Sequence, residues 1–147
     1  MLGLIPLIRR VHHGMTLGVR VVAVDPAGRL LLVRHSYLPG WHLPGGGVDF
    51  GETAEMAARR ELKEEANVEA EGPLVMAGVF FNPRVGGRDH VVLFRAGRIA
   101  IGPRPSRNLE ILAAEFFPPD ALPGDISPAT LRRIAEQDGR APASDMW

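Results

Sequence analysis

The chain has 147 residues, 46% hydrophobic and 23% charged, and its 17 basic and 17 acidic side chains cancel. That length suits one domain with one buried core, and zero net charge gives no global pull toward nucleic acid or an anionic membrane. Cysteine is absent, which excludes disulfides, thiolate metal sites and thiol nucleophiles, and no apolar run reaches the roughly 18 residues that span a bilayer. The expectation is a single cytoplasmic domain over 1–147.

Residues 1–8 are apolar but short, with no basic region ahead of them and no small-residue cleavage site, so they read as part of the fold. As a pairing or exchanged strand they leave a homodimer open. The adjacent His12 and His13 lack acidic company and make a poor metal site. Residues 17–24 are rich in valine, 25–28 (Asp-Pro-Ala-Gly) signal a turn, and 29–34 are again apolar. This pair predicts a β-hairpin whose strands are covered on both faces. Residues 35–47, with two prolines and four glycines, predict a loop.

Thr53 fits an N-cap for a helix over 54–66, which Asn67 closes in the left-handed conformation. Strands are predicted over 74–81 and 90–95 around a Gly- and Arg-rich turn, and a short one at 115–117 before two prolines. Ser127-Pro128 starts a second helix, followed by Leu131, Ile134 and Ala135 at helical spacing. The last ten residues read as frayed. The architecture is a mixed sheet with helices packed on its faces.

On the 54–66 helix, Ala54, Ala57, Ala58, Glu61, Glu64 and Glu65 fall in one stripe. The alanines permit close approach to the sheet or the preceding loop, and the glutamates continue the same face. Three crowded carboxylates repel one another unless a cation joins them, and such hard oxygen donors suit Mg²⁺ or Mn²⁺. Arg60, four residues before Glu64, can hold that carboxylate. The glycines at 45, 46, 47 and 51 let backbone amides approach a ligand at the helix start. Charge along the chain is uneven: carboxylates concentrate in 49–71, arginines in 9–35 and 84–107. A local anionic site facing basic neighbours suits metal plus phosphate, and the chemistry implied is attack of water on a phosphoryl centre.

A Glu-x-x-Glu-Glu cluster alone is more often a solvated helix face. Here Gly46, Glu52, Arg60, Glu61, Glu64 and Glu65 stand together at fixed spacing, and the segment 46–68 resembles the box of the Nudix hydrolase (MutT-like) family, with Asn67 where the family has glycine. The approach Trp41-x-x-Pro44-Gly45-Gly46 is also similar to that family. The resemblance implies an α/β protein, a Nudix-type α/β/α sandwich with a mixed β-sheet. It implies Mg²⁺-dependent hydrolysis of the diphosphate linkage in a small nucleoside-diphosphate derivative: a nucleotide, a nucleotide sugar or an ADP-ribose-like molecule. In that pattern Glu61, Glu64 and Glu65 bind metal, with the carbonyl of Gly45 or Gly46 as a further ligand. Arg60 orients a glutamate, and Glu52 supports the loop.

The general base is Glu64 or, outside the box, Glu110 on the loop 104–111; Glu115 is a further option. Arg34, Arg84, Arg88 and His90 are candidates for phosphate contacts. His35 and His42 flank the glycine-rich loop and can face the ligand, while Tyr37 and Trp41 can stack on a base. Two other functions stay open: a catalytically silent nucleotide-binding module and a pyrophosphohydrolase acting on RNA 5′ ends. All box carboxylates are present, which weighs against the first, and the zero net charge weighs against the second.

Overall fold

Asp25 explains how the first two strands are joined. Its carboxylate accepts from the amides of Ala27 at 3.0 Å and Arg29 at 2.8 Å and pairs with the Arg29 guanidinium at 2.7 Å, so four residues reverse the chain. Burial pushes this carboxyl upward, but the bonds from Arg29 and Ala27 outweigh it and hold the group below its ordinary range.

In the computed structural model, which describes residues 14–147, the elements run as follows. β1 spans Thr16–Val22, β2 Leu30–His35, α1 Ala54–Ala66, β3 Val68–Glu71 and β4 Val75–Asn82. β5 spans Asp89–Arg95, β6 Arg98–Ile101, β7 Ile111–Phe117 and α2 Pro128–Gln137. The N-terminal stretch 1–8 and the His12-His13 pair lie outside the described residues.

The turn at 25–28 is as expected, but the hairpin does not continue beyond it. β1 pairs in parallel with β5, which pairs antiparallel with β4, whereas β2 pairs antiparallel with β7. Past the Val24–Leu30 bridge the two chains part, and each finds its partner 70 or more residues away. A third pair, β3 with β6, was not foreseen: both are four residues long, without the extended apolar run that marks a strand.

Neighbouring residues of these strands face opposite layers. Val19, Val21, Leu31, Val92 and Phe94 bury against Ala57, Ala58, Leu62 and Ala66 of α1. Leu30, Leu32, Phe80 and Leu93 bury on the other side with Trp41, Leu43 and Ile134 of α2. The result is the expected α/β/α arrangement, with β2 covered on both faces as its apolar run implies.

α1 keeps the expected bounds. Thr53 accepts the Met56 amide at 3.1 Å, and Asn67 is left-handed at φ 52°. Asn67 also ties the chain to the segment after β6. Its Nδ2 donates to the carbonyl of Pro103 at 2.9 Å, and its own carbonyl accepts from Gly102 at 2.9 Å. A Cβ at Gly102 would run into the Asn67 amide group.

α2 starts at Ser127-Pro128, with the serine hydroxyl accepting the Thr130 amide, but its inner face differs from the apolar spacing. Thr130, Arg133 and Ile134 are buried and Leu131 is exposed. Nor are the last residues frayed. Phe81 donates its amide to the carbonyl of Asp145 at 2.7 Å and accepts from the amide of Trp147 at 2.9 Å, so 145–147 lies along β4. No helix among the described residues is long and apolar enough to cross a membrane.

Candidate active site

The three glutamates of α1 share a helix side yet differ in depth. Glu65 is buried, the Glu61 side chain is 12% exposed, and Glu64, nearer the outer edge, is 59% exposed. Glu65 is fixed at both oxygens: Oε1 lies 2.5 Å from Nε2 of His35, the last residue of β2, and Oε2 accepts the Gly45 amide at 2.9 Å. With Nε2–H donating, His35 Nδ1 is left buried without a partner. His35 is thus turned inward onto the carboxylate.

Arg60 gathers the outer carboxylates. It donates to Glu52 at 2.7 Å, Glu61 at 3.0 Å and Glu64 at 3.2 Å, and to the carbonyl of Gly47 at 3.0 Å. Glu52, expected to support the loop, accepts the Asp49 amide at 2.8 Å. The Arg60 bond, followed by that amide, lowers the Glu52 carboxyl to about 2, and the same bond raises the Arg60 guanidinium. Glu61 moves the other way: burial and then repulsion from Glu65 raise it, and Arg60 offsets this only in part.

Two cavities lie near these residues. One of about 230 Å³ is lined by Arg60, Glu61, Glu64 and Glu65 on one side and Asn108, Glu110 and Ile111 on the other. Asn108 builds that second wall, its side chain accepting the amides of Glu110 at 2.8 Å and Ile111 at 2.7 Å. The other, about 470 Å³, lies over β1 and is lined by Arg20, His42, Gly46, Gly47, Arg84, Arg132 and Trp147 among others. Gly46 lines the larger one, and a Cβ there would strike the Glu61 carboxylate, which lines the smaller.

This donor set fits a divalent cation. Its groups are hard carboxylate oxygens, Glu61 carries a repulsion that positive charge relieves, and Gly46 leaves the space beside Glu61 clear. Among the described residues, no three carboxylate or imidazole groups converge into a ready-made coordination shell. The reason is visible: Glu65 is turned to His35 and Gly45, and Arg60 engages Glu61 and Glu64. The Gly46 carbonyl accepts from Val19 at 2.8 Å and that of Gly45 from Arg20 at 3.2 Å.

Of the expected substrate contacts, His42 and Arg84 line the larger cavity. His42 Nε2 is 2.8 Å from the Pro39 carbonyl, and burial lowers the imidazole below its ordinary 6.5. Arg34 and Arg88 line neither cavity. Arg34 pairs with Asp125 and lies over the Trp41 ring at 5.0 Å, and Arg88 sits in the exposed turn before β5. His90 is turned against Phe81 at 5.5 Å. Trp41 is core, edge-on to Phe117, while Tyr37 is exposed beside His35. Arg20 was not foreseen. It donates from β1 to the Leu43 carbonyl at 2.8 Å and to Gly45, and burial lowers its pKa. A lone charge within the valine run 19–24 was its signal.

Residues 14–137 match the family model of the NUDIX domain. The chain belongs to the Nudix family. As a Nudix hydrolase it acts on phosphorus anhydrides. A Bacillus subtilis (strain 168) protein provisionally named an 8-oxo-dGTP diphosphatase is 33% identical over 119 residues, 81% of this chain and 77% of the relative. An RNA pyrophosphohydrolase of Caulobacter vibrioides is 53% identical over 53 residues, only 34% of this chain and 31% of that protein. The crystal structure of a MutT NUDIX hydrolase from Burkholderia pseudomallei superposes with a TM-score of 0.68 at 29% identity, covering 83% of this chain and 95% of that one.

Proposed function

We propose that this Nudix hydrolase uses Mg²⁺, or Mn²⁺ in its place, to split the diphosphate linkage of a small nucleoside-diphosphate derivative such as a nucleoside triphosphate. The observation that carries this reading is the junction at Gly46. Gly46 lines a cleft of about 470 Å³, within the size range of small-ligand sites, and sits directly against Glu61 of the carboxylate-lined cavity. Glu61, Glu64 and Glu65 would hold the cation. When bound, it supplies charge neutralisation at the phosphate oxygens and a water acidified enough to attack.

The protein's own groups do the rest. His35 and Gly45 fix Glu65, and Arg60, itself fixed by Glu52, holds Glu61 and Glu64. Arg20, His42 and Arg84 line the path a polyphosphate would follow. A water oxygen bonds to phosphorus as the bridging P–O bond breaks, and the bridging electrons leave with the departing phosphate. The water proton goes to Glu110 or Glu64, both of which line the smaller cavity. The overlap with the Bacillus subtilis relative along most of the chain supports a small nucleotide substrate.

A panel of nucleotide derivatives hydrolysed in ¹⁸O-water and read by phosphorus NMR gives both the substrate and the phosphorus attacked. Glu64→Gln and Glu65→Gln are expected to lose more than about 100-fold in turnover while keeping the wild-type circular dichroism spectrum. Wild-type rates in both variants would exclude the carboxylate site. The local likeness to RNA pyrophosphohydrolases favours one second reading, action on RNA 5′ ends. Competition between dGTP and a 5′-triphosphorylated RNA decides between them.

A further inference from the structure

Trp147 stands ten residues beyond the end of the family match at residue 137, yet it forms part of the larger cleft. It is the only tryptophan, tyrosine or phenylalanine among the described residues lining that cleft. Its position is built. β4 lies at the edge of its sheet, and 145–147 pairs along that edge through the two backbone bonds of Phe81. α2 clamps the segment from below. Arg132 donates to the Trp147 carbonyl at 2.8 Å, and the fully buried Arg133 donates to the Met146 carbonyl. The Arg133 guanidinium lies 4.2 Å from the Phe80 ring centre and 5.6 Å from that of Trp147, and the Phe80 and Trp147 rings meet edge-on at 5.7 Å.

The cleft therefore has two kinds of wall. Gly46 and Gly47, next to the glutamates, line it together with the nitrogen-bearing Arg20 and His42, whereas Trp147, half-buried against Phe80 and Arg133, brings its one indole. Phosphates need charge and N–H donors; a purine or pyrimidine needs a flat polarizable partner. We propose that Trp147 is the base-stacking residue of this enzyme, a specificity element carried by the segment after α2. This rests on the cleft being the nucleotide site. Stacking there binds ground and transition state alike, so its loss shows in KM and spares kcat.

The test combines kinetics with binding. For dGTP, Trp147→Ala is expected to raise KM about 5- to 100-fold with kcat within about twofold of wild type, and Trp147→Phe to restore most of the affinity. Titration of dGTP without metal is expected to quench tryptophan emission in the wild type and not in Trp147→Phe. Unchanged KM in the alanine variant overturns the proposal, as does a fall in kcat and melting temperature with no KM effect. So does wild-type quenching in Trp147→Phe. If the wild type hydrolyses no nucleotide, the proposed function fails, and the quenching titration still decides the role of Trp147.

Discussion

Glu65 is the most constrained carboxylate of the site, and its constraint comes from outside the box. Its two oxygens are occupied by His35 at 2.5 Å and the Gly45 amide at 2.9 Å, so its rotamer is set before any cation arrives. A partner of this kind orients a ligand, and its loss typically costs 10- to 100-fold in metal affinity. His35→Phe is therefore expected to weaken Mn²⁺ binding, followed by electron paramagnetic resonance, by about 10- to 100-fold, and His35→Gln to retain a donor and most of the affinity. The three glutamates, Arg60 and Glu52 were legible because their spacing lies within one segment. The His35–Glu65 pair was not, since its members are 30 residues apart and only the packing of β2 beside α1 joins them. Arg34 misled for the converse reason. An arginine next to a glycine-rich loop resembles a phosphate contact, but Asp125, 91 residues away, claims it.

For the elements, turn and cap chemistry survived into the structure better than pairing did. Thr53, Ser127 and Asp25 act on neighbours within four residues, and Asn67 closes α1 through its own backbone conformation, so each could be placed from local sequence. Which strand β1 or β2 would pair with depends on residues 70 or more positions away, and the hairpin expectation failed there. α2 shows the same limit. Helical spacing points to Leu131, but the buried residue is Arg133, whose surroundings come from Phe80, Trp147 and Glu136. The Arg133–Glu136 pair at 2.7 Å is nearly inaccessible, and removing one member strands the other. Arg133→Met is expected to destabilise the protein by about 3–5 kcal/mol in urea unfolding and to release 145–147 from β4.

At the level of the whole molecule, two apolar clusters share one set of strands. Leu31 belongs to the cluster under α1, while its neighbours Leu30 and Leu32 belong to the one under α2. Neither cluster can lose its strands without the other, so unfolding should be a single transition. Trp41 and Trp147 both report on the α2 side, whereas far-ultraviolet circular dichroism reports on all elements. The two signals are expected to give the same urea midpoint; separated midpoints would show that the layers unfold independently. The Asn67–Gly102 contact has a consequence for the order in which this sequence can change. While asparagine occupies position 67, its side chain fills the place of any Cβ at 102, so a larger residue at 102 requires that side chain to move. Replacing Asn67 with glycine removes that side chain, leaving the residue 67 carbonyl close to any Cβ at 102, and also cuts the tether to Pro103, on the loop that carries Glu110. The two sites form an epistatic pair, and the accessible route runs through position 67 first.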